Sequence, residues 1–504
     1  MQEKHEKDQQ HAGMWSRGVS RPMAEMEMKK DSKGGGMDKE QRMMMLKMHH
    51  KQTLWVYWTI VLLGFWMIIF PLTFSYSQGV VEVSGGRELW LSLDQRINIL
   101  TWNDIICGLL LVVFGWRSLR PNRPISLWIA CFIGIWLTLA PLIFWSPTAV
   151  GYLNSTLVGA LVIALTILIP GMPNMITYMK MGSEVPPGWS YNPSSWPQRW
   201  IMIVLAFFGW IVSRYLGAFQ LGYIDAAWDP FFGESTMKVL NSNMSHSLPV
   251  SDGAMGAMAY TFEFLMGWMG SPTRWRTMPW MVTFFGILVI PLGLVHIFLV
   301  ISQPVVVGEW CTFCLMAAAI MLPMIPLEFD EVIAMGQHMV QAKKRGDNMW
   351  EVFWKGGKAF EKNKDDRSAE LMDLSEKPMS VIKSAVWGMS IPWTLALSTI
   401  IGIVMMFVPT FFDIDISTRA ADIFHLAGSL IIVTSVICMG EIVRRGRYFN
   451  ILLGLILAAA PWFVESSTTA LNFTGLIAGL MVVLLSFPLG PVKEEYGLWN
   501  KYIS

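Results

Sequence analysis

Apolar residues run through this chain in long unbroken stretches separated by short polar connections, with neither the alternation of a half-buried strand nor the single stripe of a surface helix. A hydrocarbon layer about 30 Å thick takes roughly 20 helical residues to cross. About twelve stretches meet that length, near 54–75, 97–116, 125–147, 150–170, 200–217, 253–271, 279–302, 311–328, 380–412, 421–443, 448–464 and 470–487. The pattern predicts an all-α, polytopic integral membrane protein of about 12 transmembrane helices. Four, four and four is the most economical parse, with a four-helix bundle at the centre.

Composition supports this, since 53% of the 504 residues are hydrophobic and 15% charged, more apolar surface than a soluble globule buries. Membrane lipid is therefore the first partner. The formal charge of +1 identifies none, and no nucleic-acid partner is expected. The placement of basic residues is more informative. Lys47 and Lys51 precede the first stretch, Arg117, Arg120 and Arg123 follow the second, Arg274 and Arg276 the sixth, and Arg444, Arg445 and Arg447 the tenth. All fall on one side, which the positive-inside rule makes the cytoplasm. Both termini are then cytoplasmic in a multi-pass cell (inner) membrane protein. The opposite connections are acidic or neutral, with Asp225, Asp229, Glu234 and Asp252 in one and Asp413 and Asp415 in another.

Residues 1–50 carry many Lys and Glu and no apolar run ahead of a cleavage site, which predicts a disordered cytoplasmic tail rather than a secretory signal. Met43, Met44, Met45, Met48, His49 and His50 are soft ligands that could suggest copper, but a polar tail explains the same composition. Residues 341–378, with Lys343, Lys344, Arg345, Lys358, Lys362 and Lys364, read as a charged cytoplasmic linker.

The two ends of the chain repeat one another. Trp55, Gly64 and Pro71 match Trp393, Gly402 and Pro409 at one offset, Asp104 answers Asp422, Ala140-Pro141 answers Ala460-Pro461, and Leu153-Asn154 answers Leu471-Asn472. These units, 51–175 and 380–490, resemble the SPW-repeat family, although neither Ala140-Pro141-Leu142 nor Ala460-Pro461-Trp462 keeps the full tripeptide. Gly and Pro at matching depths are also ordinary packing residues of membrane helices.

Cys311-Thr312-Phe313-Cys314 opens the eighth stretch. Two intervening residues bring two thiols to disulfide distance at a helix start, where the dipole favours thiolate. The expected topology puts the pair on the extracytoplasmic side, where disulfide chemistry is permitted. A structural zinc site wants four ligands, and there is no second pair, so no metal is expected. Inert packing in a helix is the other reading of the same residues. Cys107, Cys131 and Cys438 lie within stretches and read as small packing residues.

Val239-Leu240-Asn241-Ser242, Pro249-Val250-Ser251, Gly256, Tyr260, Pro291-Leu292-Gly293-Leu294 and Trp310-Cys311-Thr312-Phe313-Cys314-Leu315 together resemble the vitamin K epoxide reductase family, over residues 195–335. The resemblance implies a four-helix, quinone-linked thiol oxidoreductase with a ubiquinone- or menaquinone-type quinone in the bundle. It makes Cys314 the thiol facing the quinone and Cys311 the one that exchanges with a partner. It also brings Ser242 and Asp252 toward the quinone, although a turn residue and a helix cap explain them too. The departure is in the loop 218–252, which has no cysteine, where the family usually keeps a shuttle pair. Thr236 and the stretch Trp228-Asp229-Pro230-Phe231-Phe232-Gly233 stand there instead. An external thioredoxin-like dithiol protein would then have to reach Cys311 directly.

Arg214, Glu263 and His296 lie within three stretches of the central set and could surround one polar pocket, with His296 or Glu263 giving a proton to the quinone. A structural Arg214–Glu263 pair is the competing expectation. The function expected is oxidation of dithiols coupled to quinone reduction through Cys311 and Cys314. The alternative is a non-catalytic scaffold or quinone- or lipid-binding module. Transport, suggested by the number of spans, is weakened because the repeats read as parallel and no pair of broken helices is evident.

Overall fold

The computed structural model describes residues 39–121, 123–168, 183–358, 364–368 and 377–503. Met1–Thr53 is one unit and Leu54–Ser504 another. In the first, helix α1 (Lys39–Gln52) carries Met48, His49 and His50, so the expected tail ends in a helix, and residues 1–38 lie outside the described residues.

Among its described residues the second unit is built of helices joined by turns and loops, with three isolated bridges and no strand. Its first set is α2 (Leu54–Thr73), α3 (Leu93–Ser118), α4 (Pro124–Ile143) and α5 (Ala149–Ile167). The central set is α6 (Trp196–Gln220), the short α7 (Ser235–Leu240), α8 (Asp252–Trp268), α9 (Pro279–Val289), α10 (Pro291–Val306) and α11 (Thr312–Lys344). The last set is α12 (Trp393–Phe411), α13 (Arg419–Ile437), α14 (Phe449–Ala459) and α15 (Thr469–Ser486). Eleven spans among the described residues are long and apolar enough to cross a membrane, with α9 and α10 counted as one span and α14 taken with its flanking turns. The twelfth expected span is α8, which at 17 residues falls just short of that length.

Local sequence fixes the helix ends. Ser92 and Gln95 form a reciprocal capping box on α3, and Thr148, Ser251, Thr418 and Thr468 each accept a backbone N–H at the start of α5, α8, α13 and α15. Pro291 has no N–H to donate, and α9 is interrupted from α10 there.

The internal repeat reappears as paired glycines. A Cβ on Gly64 would lie 2.7 Å from the Gly108 carbonyl, and one on Gly134 2.9 Å from that of Gly159. In the last set Gly402 faces Gly428 and Gly454 faces Gly479, each at 2.7 Å. Helix pairs α2–α3, α4–α5, α12–α13 and α14–α15 meet backbone to backbone at these points, which only the smallest residue permits.

Two expected boundaries move. The stretch 380–412 is not one span: Gly388, at φ +82°, breaks it, because a Cβ there would collide with Asp330 and the Tyr191 hydroxyl. The eighth helix does not stop near 328 but continues to Lys344, into the expected linker, of which residues 359–363 and 369–376 lie outside the described residues.

Candidate functional site

Cys311 is the N-cap of α11, with extended backbone (φ −115°, ψ 113°), and its sulfur accepts the Cys314 amide at 3.1 Å. The first helical turn brings the two thiols together, and they are joined as a disulfide with Cα atoms 5.2 Å apart. Residues 200–329, which contain this centre, match the model of the vitamin K epoxide reductase family. This segment is similar to the vitamin K epoxide reductase family. The SPW repeat domain matches on either side, at 88–169 and 386–487. No curated protein and no solved structure matches the chain significantly.

The connection between α6 and α8 covers the dithiol of this module. Asp229 accepts the Thr312 amide at 3.2 Å and the Thr312 hydroxyl at 2.5 Å. It also accepts the Thr236 hydroxyl at 2.5 Å and the amides of Phe231 and Phe232 at 3.0 and 2.9 Å. Burial pushes its carboxyl up, but hydrogen bonds from Thr236, Thr312 and the two amides outweigh that and hold it at about 2. A second carboxylate, Glu309, accepts from Lys238 at 2.5 Å and from Ser235, tying α7 to the residues before Cys311. The Lys238 and Ser235 hydrogen bonds hold Glu309 below the ordinary carboxylate range. Phe313 packs against Tyr215 at 4.9 Å and Trp228 at 6.3 Å between ring centroids.

In consequence Cys311 is 0% and Cys314 7% exposed. The expectation of a Cys311 open to an external dithiol is therefore corrected. The loop without cysteines folds over the pair, because Asp229, held by donors of the loop itself, also binds the amide and hydroxyl of Thr312 at the head of α11.

Trp310 extends the site into the second SPW repeat. It stacks on Phe232 at 6.2 Å and on Phe407 of α12 at 5.7 Å, and meets the His425 ring edge-on at 4.4 Å. His425, on α13, is held with Nε2 2.8 Å from the Ile301 carbonyl. By the register that aligns Asp104 with Asp422, His425 occupies the place of Cys107 in the first repeat.

The other sequence-selected residues divide into two groups. Ser242 donates to the Val239 carbonyl at 2.7 Å, and Asp252 accepts from Ser245 at 3.1 and 3.0 Å and from Gln220, so both are engaged in holding the loop. Ser251, not Asp252, caps α8. Glu263 is 1% exposed, and neither carboxyl oxygen has a hydrogen-bond partner among the described residues. His296 lies 6.4 Å, ring to ring, from Tyr260, whose hydroxyl donates to the Ala317 carbonyl at 3.1 Å, one turn beyond Cys314.

The expected Arg214–Glu263 pair is not formed. Arg214 turns toward the first SPW repeat, donating to Thr156 at 3.1 Å with its guanidinium 4.7 Å from the Tyr152 ring. In the first repeat Asp104 is buried and accepts from Tyr76 at 2.6 Å and Asn103 at 3.2 Å.

Asp229, Glu309, Trp310 and His425 were not singled out from sequence as site residues. Asp229 had one legible signal, an acid beside Pro230 in an aromatic loop. His425 had another, an ionisable residue inside an apolar stretch.

Proposed function

We propose that the module is a membrane thiol oxidoreductase that couples oxidation of dithiols to reduction of a quinone through Cys311 and Cys314. The observation that carries the reading is the Cys311–Cys314 disulfide at the head of α11, inside the segment that matches the vitamin K epoxide reductase family. The interior fits a quinone on chemical grounds: Tyr260, bonded one turn beyond Cys314, and His296 beside it supply polar groups in an apolar bundle, and Glu263, one turn of α8 further on, has no hydrogen-bond partner among the described residues. A quinone, when bound, supplies a two-electron, two-proton acceptor.

In this reading Cys311 is the sulfur attacked by an incoming thiolate, through a mixed disulfide that a second thiol resolves. The Asp229 and Glu309 clamps must release first, since Cys311 is inaccessible beneath them. Ser242 and Asp252 hold the loop in register, and His296 and Glu263 handle protons. Replacing Cys314 by Ser in the full chain should leave Cys311 able to trap a dithiol protein as a stable mixed disulfide, and replacing Cys311 should abolish the adduct. If wild type fails to oxidise dithiothreitol with menadione present, and the Cys314→Ser variant forms no adduct, the reading fails.

A second reading is favoured by one observation, the complete burial of Cys311 beneath a loop that has no cysteine of its own. On that reading the disulfide is structural and the module is a scaffold or a quinone- or lipid-binding unit.

A further inference from the structure

The end of the module away from the dithiol holds ionisable side chains that thiol exchange does not use. Glu331 is paired with Arg274 through two contacts of 2.6 Å, with side chains only 3% and 1% exposed. Glu328, three residues earlier on α11, is buried, and its Oε1 has no partner among the described residues. It shares α11 with Asp330 and Glu331, and Arg274, the partner of Glu331, also donates to the carbonyls of Met266 at 2.8 Å and Gly267 at 3.5 Å, one turn of α8 beyond Glu263. From Glu263, one turn of α8 leads to Tyr260 and so to His296 and the carbonyl of Ala317.

In the other direction Asp330 accepts the Tyr191 hydroxyl at 2.6 Å, and the Tyr191 and Tyr496 rings are 6.0 Å apart. Tyr496 donates to Glu441 at 3.0 Å, and Glu441 lines an open cavity of about 310 Å³ with Lys383 and Glu494. The succession runs from a surface cavity to the interior beside the dithiol helix. An apolar bundle gives a carboxylate no compensation without a cation or donor, and carboxyls kept in that setting are suited to taking up a proton and handing it on.

We propose that Glu441, Asp330, Glu328 and Glu263 carry protons from that cavity to the interior beside Tyr260 and His296, so that quinone reduction draws its protons from the face opposite the dithiol. The inference rests on the oxidoreductase reading above. In each cycle the S–S bond between Cys311 and Cys314 breaks as one forms in the substrate. When it re-forms, two electrons pass to the quinone and the two thiol protons leave at the dithiol face. The two protons bound in the quinol enter from the other face, so the turnover separates charge across the membrane.

The test uses the full chain in sealed liposomes containing menadione, a pH dye trapped inside, and a charged, impermeant dithiol peptide outside. Only molecules with the dithiol end outward are driven. The expected result is loss of two protons from the lumen per peptide disulfide formed. Asp330→Asn and Glu328→Gln should each slow that signal at least about tenfold. Their exchange of peptide with the Cys311–Cys314 disulfide, measured without menadione, should stay unchanged, which shows that the fold is intact. Peptide oxidation by wild type with no change in lumen pH, or an undiminished signal in both variants, would overturn the inference alone. No peptide oxidation at all would remove the oxidoreductase reading, and the inference with it.

Discussion

Asp229 joins residues that the chain places far apart, since its two oxygens bind the loop's own Thr236, Phe231 and Phe232 and, across the gap, Thr312 between the cysteines. Its carboxyl, at about 2 against an ordinary 3.8, is depressed on folding. The clamp is therefore at full strength above about pH 4 and is lost as pH falls through about 2. The Thr312 amide resonance of threonine-labelled protein should accordingly be constant from about pH 5 to 8 and move only below about pH 3. Asp229→Asn keeps the shape but weakens charge-assisted hydrogen bonds by about 1.4 kcal/mol or more, so alkylation of Cys311 after reduction should accelerate roughly tenfold. An unchanged rate would mean that the loop is held by its aromatic contacts instead. The cysteine spacing and the helix start were legible at this scale. The burial of Cys311 was not, because it depends on where one loop carboxylate finds its donors.

Helix α13 of the second SPW repeat reaches the dithiol through His425 and Trp310, whereas Cys107, in the matching position of the first repeat, hydrogen-bonds within its own helix, to Asn103 at 3.8 Å. Replacing His425 by Ala should free Trp310 and raise the reactivity of the reduced Cys311–Cys314 pair several-fold, and Cys107→Ala should leave it unaltered. Equal effects from the two would show that the repeats act only as bulk support. The paired glycines make a separate prediction. Gly428→Leu places side-chain atoms where the Gly402 carbonyl and the Met406 backbone already lie, 2.7 and 2.8 Å from a bare Cβ, so α12 and α13 must separate. Overpacking of this kind costs about 1–3 kcal/mol or more, and accumulation of the protein in membranes should fall. The repeat and its glycines were visible in sequence, but which repeat touches the dithiol was not. That depends on how each set faces the central module, and both carry the same internal pattern.

For the whole molecule, the unit Leu54–Ser504 is compact without what precedes it, and residues 1–48 contain no apolar run, so their deletion should leave membrane insertion intact. Failure of the truncated protein to accumulate would assign the segment a structural role. Reporters near Arg345 and after Ser504 should lie on one side of the membrane and one near Glu234 on the other, which gel-shift labelling can read. The apolar pattern alone located most of the spans, the repeat and the Cys-x-x-Cys at a helix start, because each follows from local apolar length, capping residues and spacing, whereas the break at Gly388 and the continuation of α11 to Lys344 did not. Side-chain partnership was decided only in three dimensions. Whether Arg214 met Glu263, whether Cys311 met solvent, and which carboxyls were left without donors all depended on the packing of helices far apart in the chain. An apolar run specifies that a helix is buried in lipid or protein, but carries little information about which of its faces meets which neighbour.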